Sequence, residues 1–372
     1  MRSIPAVCIW LFVALGLFQQ IRAQSPSDAL QLQRQGDWSK AETVWRSLIE
    51  ANPQDDRYWG SLGACLAHQN RYDEAIQAYK RALTLKPGEP QAELNLGLAY
   101  FKLGQLDKAI PPLKAAAGSL PANRQVDLLL GMSLYGTGQY RHALPYLEPV
   151  AARDPNNAEL QLIVARSYLL SGLYEKARDQ FKAMLVRDEN SASVHMLLGE
   201  AYDGLGKTAE ALAEFRAAAQ SNAHDAHFSI GYLLWRDKHY GEAANEFRQE
   251  LANNPGQYEA LAYLGDCLVK QGDANQASQY LHRSINQKDV LWITHYDLGL
   301  IAVDRKNYRE AITELQHAAN LDNKRAEVHY RLAQAYKAVG NATKAQAELR
   351  AVSQLHQQRN QDLILKVHGA VR

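Results

Sequence analysis

The chain has 372 residues, of which 47% are hydrophobic and 22% are charged, a composition typical of a folded protein and unlike that of a disordered one. Its 41 Lys and Arg residues balance 40 Asp and Glu residues, which leaves a net charge of +1. Because nucleic-acid binders usually carry a basic excess or patch, this balance argues against nucleic acid as a partner.

The first segment of the chain has the layout of a secretory signal peptide. Arg2 gives a positive start, an apolar run extends from Ile4 to Phe18, and a polar stretch follows Ala23. Because the run is too short to span a bilayer comfortably, we predict a signal peptide over residues 1–23, with an uncleaved N-terminal anchor as the alternative. We therefore expect an exported protein, periplasmic or extracellular, that is not integral to the membrane once the signal is cleaved.

An alanine recurs along the rest of the chain at a nearly constant interval. Eight of the nine successive intervals are 34 residues, and the remaining one, from Ala211 to Ala243, is 32 residues. A fixed period in this range is the signature of a solenoid of stacked supersecondary units. We expect the short interval to change the twist between repeats near Asn222. The ten alanines are Ala41, Ala75, Ala109, Ala143, Ala177, Ala211, Ala243, Ala277, Ala311 and Ala345.

Three further positions of the repeat are regular, and the third repeat shows all of them. Gly97 stands twelve residues before Ala109, and since Gly inside a helix costs about 1 kcal/mol relative to Ala, its use there predicts a close crossing of two helices. Gly104 stands five residues before the alanine and predicts a turn, because Gly accepts a left-handed conformation. Leu113 stands four residues after it, where a large side chain is expected to fill the seam between helices.

With these positions identified, the chain resembles the tetratricopeptide repeat (TPR) proteins of the exported bacterial type. The second repeat carries the family pattern in Trp59, Leu62, Gly63, Leu66, Tyr72, Ala75, Tyr79, Ala82 and Pro87. The resemblance implies an all-α fold, a right-handed superhelical solenoid of about ten helix-turn-helix repeats over residues 24–352. The first repeat is degenerate, since Ser25 and Asp28 replace large residues, as in a capping repeat. Residues 353–372 are predicted to form a helical cap or tail, with a disordered tail as the alternative.

The resemblance also implies where a partner would bind. In the family, the first helix of each repeat lines a concave groove through the residues three before, one after and four after the small Gly or Ala. These positions are unusually apolar and aromatic here, as expected of an interaction surface; the alternative is that much of the stripe is buried between successive helices. The predicted partner-binding groove consists of Leu94, Leu98, Phe101, Leu128, Met132, Tyr135, Arg166, Phe228, Tyr232, Trp235, Tyr296 and Tyr330.

Two patterns could indicate chemistry instead. Gly204–Thr208 resembles the end of a phosphate-binding loop, but position 201 is Ala where that motif needs Gly, and no strand is predicted before it. Four histidines share one repeat position that usually carries Trp in the family, and His224 and His227 have a spacing compatible with a metal site. We interpret the shared rings as half-buried packing residues. The four are His195, His227, His295 and His329.

Taken together, these patterns predict a protein that is not an enzyme and uses no metal or other cofactor. The leading hypothesis is an adaptor that binds segments of other proteins or peptides in its groove, in the assembly of an envelope or secretion complex. The alternative is an accessory subunit that positions an envelope polysaccharide or glycosylation enzyme.

Overall fold

The computed structural model describes residues 25–369, with side chains described up to residue 362. The predicted signal peptide at residues 1–23 lies outside these described residues. Within them the chain forms twenty α-helices and no strand, which confirms the all-α fold, and none of these helices is long and apolar enough to cross a membrane. The ten pairs are α1 (Pro26–Arg34) and α2 (Trp38–Ala51), α3 (Asp56–His68) and α4 (Tyr72–Leu85), α5 (Pro90–Lys102) and α6 (Leu106–Ser119), α7 (Arg124–Gly136) and α8 (Tyr140–Arg153), α9 (Ala158–Leu170) and α10 (Tyr174–Leu185), α11 (Ala192–Gly204) and α12 (Thr208–Gln220), α13 (Ala226–Arg236) and α14 (Tyr240–Asn253), α15 (Tyr258–Lys270) and α16 (Ala274–Gln287), α17 (Trp292–Asp304) and α18 (Tyr308–Leu321), and α19 (Ala326–Ala338) and α20 (Ala342–Gly369).

The chain divides into two compact units, one up to Gln180 and one from Phe181 onward. In each unit, the two helices of a pair pack against each other and the second helix packs against the first helix of the next pair. First helices also contact one another directly, α3 with α5 and α5 with α7 in the first unit, and α13 with α15, α15 with α17 and α17 with α19 in the second. The residues of neighbouring first helices can therefore combine into one surface within each unit.

In the seven repeats whose small residue is glycine, that glycine lies directly opposite the large residue that follows it by sixteen positions. A β-carbon added to Gly97 would lie 2.5 Å from Cγ of Leu113, and one added to Gly199 would lie 2.5 Å from Cε1 of Phe215. Both large side chains are buried, Leu113 at 0% and Phe215 at 3% exposure. The small side chain predicted for a helix crossing and the large one predicted for the seam are thus two halves of a single contact.

The turn within each pair uses a left-handed residue in every repeat. Seven of these residues are the predicted glycines, all with positive φ: Gly36, Gly104, Gly138, Gly172, Gly206, Gly272 and Gly340. In the other three repeats the same position is Asn70, Lys238 or Lys306, with φ of 60°, 66° and 59°. The backbone geometry is therefore constant even where the residue that most easily adopts it is missing.

The short interval between Ala211 and Ala243 removes residues from the beginning of a helix. Helix α13 has 11 residues, against 13 in the neighbouring first helices α11 and α15. The segment before it carries two left-handed residues, Asn222 and Asp225. The expected change in twist at this junction stays a prediction.

The two ends of the repeat array have distinct local structures. At the start, Ser25 and Asp28 form a capping box, in which the Ser25 hydroxyl accepts from the Asp28 amide at 3.3 Å and the Asp28 carboxylate accepts from the Ser25 amide at 3.0 Å. At the other end, α20 continues as one helix of 28 residues from Ala342 to Gly369. Ser25 and Asp28, which depart from the family pattern, therefore satisfy the amide of Asp28 in the first helix and the amide of Ser25 just before it.

Candidate functional site

The predicted groove residues differ in how much surface they present. In the first unit, Leu94 is only 4% exposed and belongs to the core, because its position borders the seam between helices. In the second unit, Tyr330 is 47% exposed. Arg166 is also exposed, and the remaining residues are half-buried: Leu98, Phe101, Leu128, Met132, Tyr135, Phe228, Tyr232, Trp235 and Tyr296. Apart from Leu94, these residues keep part of their side chains accessible. That they line a partner-binding groove remains a prediction.

Three of the predicted residues join one unpredicted residue in a continuous group of rings, here called the aromatic patch: Phe228, Tyr232, Trp235 and Tyr263. Tyr263 on α15 lies edge-on to Trp235 with centroids 4.8 Å apart, and edge-on to Tyr232 at 5.4 Å. Phe228 lies 6.1 Å from Tyr263. All four rings are half-buried, and burial raises the pKa of Tyr263 to about 12.

A buried polar group holds the patch in place. The indole N–H of Trp235 donates to Oδ2 of Asp266 at 2.6 Å, and the ammonium of Lys270 lies 3.2 Å from the other carboxylate oxygen. Asp297 is completely buried, and its burial, followed by the neighbouring charge of Asp266, holds the pKa of Asp297 well above its usual range. Neither oxygen of Asp297 accepts a hydrogen bond within the described part of the chain, so no donor there offsets the burial that favours the neutral carboxyl.

Two more of the predicted residues lie in the same unit, beyond the patch. Tyr296 lies 5.7 Å from the ring of Trp292, over which the guanidinium of Arg325 stacks at 4.4 Å. Tyr330 lines a cleft formed by the beginning of α19 and the extended α20, together with Leu355 and Arg359. These residues present mixed aromatic and basic chemistry in contrast to the largely apolar patch.

The four histidines at the shared position make one repeated hydrogen bond that the sequence interpretation missed. In each case Nδ1 pairs with the glutamate nineteen residues later, which joins the first helix of a repeat to its second helix. The pairs are His195–Glu214 and His227–Glu246, both at 2.7 Å, and His295–Glu314 and His329–Glu348, both at 2.6 Å. The signal was present in the sequence, because glutamate occupies this second position only in the four repeats that have the histidine.

His295 differs from His195 and His329 in what its second nitrogen faces. Nε2 of His295 pairs with the side chain of Asp289 at 2.7 Å, whereas Nε2 of His195 and of His329 face the backbone carbonyls of Glu189 and Asn323. Burial disfavours the charged ring, but the hydrogen bonds that the ring donates to the carboxylates of Glu314 and Asp289 outweigh this effect and raise the pKa of His295.

The fold and the surface define a class of protein, a scaffold of stacked helical hairpins. Family models described as the tetratricopeptide repeat or TPR repeat match residues 28–90, 66–132, 134–201, 196–246, 234–290, 299–340 and 326–357. The chain therefore belongs to the tetratricopeptide repeat family, and it is a protein-interaction scaffold of that type.

Two curated relatives match this chain over short segments. The peroxisomal targeting signal receptor of Kluyveromyces lactis is 47% identical over 60 residues, which cover 16% of this chain and 11% of that protein. Protein O-mannosyl-transferase tmtc2 of Xenopus laevis is 46% identical over 50 residues, 13% of this chain and 6% of that protein. Among solved structures, Naa15/Naa10 bound to HypK-THB is 15% identical, covers 88% of this chain and 62% of that chain, and superposes with a TM-score of 0.49. The matched segment thus spans about a tenth or less of these curated relatives' own length.

Proposed function

We propose that the aromatic patch is the principal binding site for a segment of a partner protein. The observation that carries this proposal is the continuity of four half-buried rings across α13 and α15, each within 6.3 Å of another member of the patch. Tyrosine and tryptophan are the residues that most often supply the central anchors of an interface. A contiguous apolar surface of this kind is rare on a protein without a partner.

The patch is organised before a partner arrives. The edge-on contacts of Tyr263 and the hydrogen bond from Trp235 to Asp266 fix two of the rings in single orientations. A fixed side chain has less conformational entropy to lose on binding, which favours affinity. Because the nearby charges of Asp266 and Lys270 neutralise each other, we infer that the partner presents leucine, methionine or aromatic side chains rather than a charged motif.

We further propose that the protein acts outside the cytoplasm, as a non-catalytic adaptor in the assembly of an envelope or secretion complex. The support is the signal-peptide layout of residues 1–23. N-terminal sequencing of the protein recovered from the export compartment tests this directly. A mature chain that begins near Gln24 is the expected result, and a protein confined to the cytoplasm would contradict it.

The binding proposal is tested by co-purification with three versions of the chain: wild type, a Tyr232→Ala/Trp235→Ala double variant, and a Tyr308→Ala control outside the patch. We expect the double variant to lose a partner that both other versions retain. Circular dichroism and thermal unfolding verify that all three are folded. Equal recovery of every partner by the folded double variant would contradict the proposal.

A further inference from the structure

Three side chains from three consecutive elements converge in repeats eight and nine. Asp289 comes from the loop between α16 and α17, His295 from α17 and His317 from α18. Each offers one ligand atom, and the three atoms lie within 4.8 Å of one another. His295 is 4% exposed, while Asp289 and His317 are exposed, so the site combines one fixed ligand with two that can adjust from the surface.

The fixed ligand is held in the orientation that metal-binding histidines usually have. Nδ1 of His295 lies 2.6 Å from the carboxylate of Glu314, which leaves Nε2 directed toward Asp289 at 2.7 Å. The ring of His317 lies 5.1 Å from that of His295. In metal sites, a histidine that coordinates through one nitrogen commonly donates its other N–H to a carboxylate, which fixes the ring and makes it a stronger ligand.

The other repeats provide an internal comparison. His195 and His329 make the same pair with a glutamate, but their Nε2 atoms face backbone carbonyls. The residues that correspond to His317 in those two repeats are Ala217 and Ala351. In these two described repeats the histidine–glutamate pair therefore occurs without a histidine at the position of His317. The pair does not account for Asp289 and His317, which occur together only in the ninth repeat.

We propose that Asp289, His295 and His317 bind one divalent transition-metal ion of the Zn²⁺ class. Two imidazole nitrogens and one carboxylate oxygen suit zinc and its neighbours, whereas Mg²⁺ and Ca²⁺ require mainly oxygen ligands. Tetrahedral zinc holds its ligand atoms roughly 3.3 Å apart, and the three atoms here lie within 4.8 Å of one another, two of them on exposed side chains. A water molecule completes the coordination.

Such an ion has a structural consequence for the scaffold. It ties the loop that begins the ninth repeat to both helices of that repeat, and so it adds a crosslink that the His–Glu pair alone does not supply. Because the ion binds the folded arrangement and not the unfolded chain, it stabilises the fold by mass action.

The test uses the full chain, purified without a histidine tag and stripped with EDTA, and titrated with Zn²⁺ by calorimetry and with Co²⁺ by visible absorption. We expect one ion per chain, a tetrahedral Co²⁺ spectrum and a rise in the unfolding temperature on addition of Zn²⁺. Asp289→Ala and His317→Ala, both at exposed positions, should each weaken binding at least tenfold, and Glu314→Gln should weaken it about tenfold through the loss of ring positioning. His142→Ala, an exposed histidine on α8, is the matched control and should leave affinity unchanged.

Circular dichroism without metal verifies that each variant is folded. Absence of stoichiometric Zn²⁺ binding by the wild-type chain would overturn the proposal. Binding that neither Asp289→Ala nor His317→Ala weakens would overturn it equally.

Discussion

The indole N–H of Trp235 donates to Oδ2 of Asp266 across two neighbouring first helices, at a distance of 2.6 Å. Asp266 is 2% exposed, so this carboxylate lies beneath the aromatic patch rather than within its surface. The same residue pairs with Lys270. A single buried acid thus orients the largest ring of the proposed binding surface and compensates the nearest cation.

Replacement of Asp266 by alanine should destabilise the protein. The change leaves the buried N–H of Trp235 and the ammonium of Lys270 without their acceptor, and groups left in this way cost about 1–3 kcal/mol each. We expect a loss of about 2 kcal/mol in the free energy of unfolding, measured by urea denaturation. Addition of Lys270→Met should restore part of the loss. An Asp266→Ala protein as stable as wild type would contradict this role.

Glu250 should make the stability of the protein depend on pH. It is 3% exposed, and burial raises the pKa of Glu250 even though the carboxylate accepts from the Phe228 amide. A carboxyl group whose pKa is higher in the folded state stabilises the fold fully below its unfolded pKa of about 4.3, and this contribution is lost as pH rises through the folded value. We therefore expect Glu250→Gln to gain stability relative to wild type between pH 4 and pH 7, measured by urea denaturation at each pH. A difference that is constant with pH would contradict the assignment.

Substitutions at two of the left-handed turn positions should change the stability of the protein in opposite directions. Lys306 has a φ of 59° where most repeats have glycine, and a left-handed conformation costs a side chain with a β-carbon roughly 1 kcal/mol. Lys306→Gly should therefore stabilise the protein by about 0.5–1 kcal/mol, and Gly272→Ala, at a φ of 82°, should destabilise it by about 1 kcal/mol. Thermal unfolding of each variant measures its change in stability relative to wild type. A stabilising Gly272→Ala substitution would be inconsistent with this account.

The histidine–glutamate pairs should contribute measurable coupling energy. His329 and Glu348 lie 2.6 Å apart with side chains that are 13% and 23% exposed. A double-mutant cycle with His329→Gln and Glu348→Gln should give a coupling of about 0.5–1.5 kcal/mol at neutral pH. Additive effects of the two substitutions would show that the pair does not stabilise the repeat.

Much of the fold could be predicted from the sequence because its key contacts are local. Gly97 and Leu113 belong to one repeat and meet across one turn, so a fixed spacing in the chain becomes a fixed contact in space. The left-handed turn was predicted where glycine marks it and not at Lys238 or Lys306, because there the packing of two helices imposes the conformation on a residue that does not favour it.

The site was less predictable because its contacts cross between repeats. Tyr263 occupies none of the groove positions defined by the family, yet it contacts Phe228, Tyr232 and Trp235 on the preceding first helix. Leu94 occupies such a position and is buried. Spacing within one helix identifies its apolar face, but the division of that face between groove and seam depends on the neighbouring helix.

The most direct test of the central claim is photo-crosslinking from the aromatic patch in living cells. A photoreactive phenylalanine analogue is introduced at Tyr232 in one version of the chain and at Tyr308 in a control version. We predict a covalent adduct with a partner protein from position 232 and none from position 308, with the crosslinked peptide of the partner rich in apolar side chains. A partner that crosslinks from position 308 but not from position 232 would contradict binding at the aromatic patch.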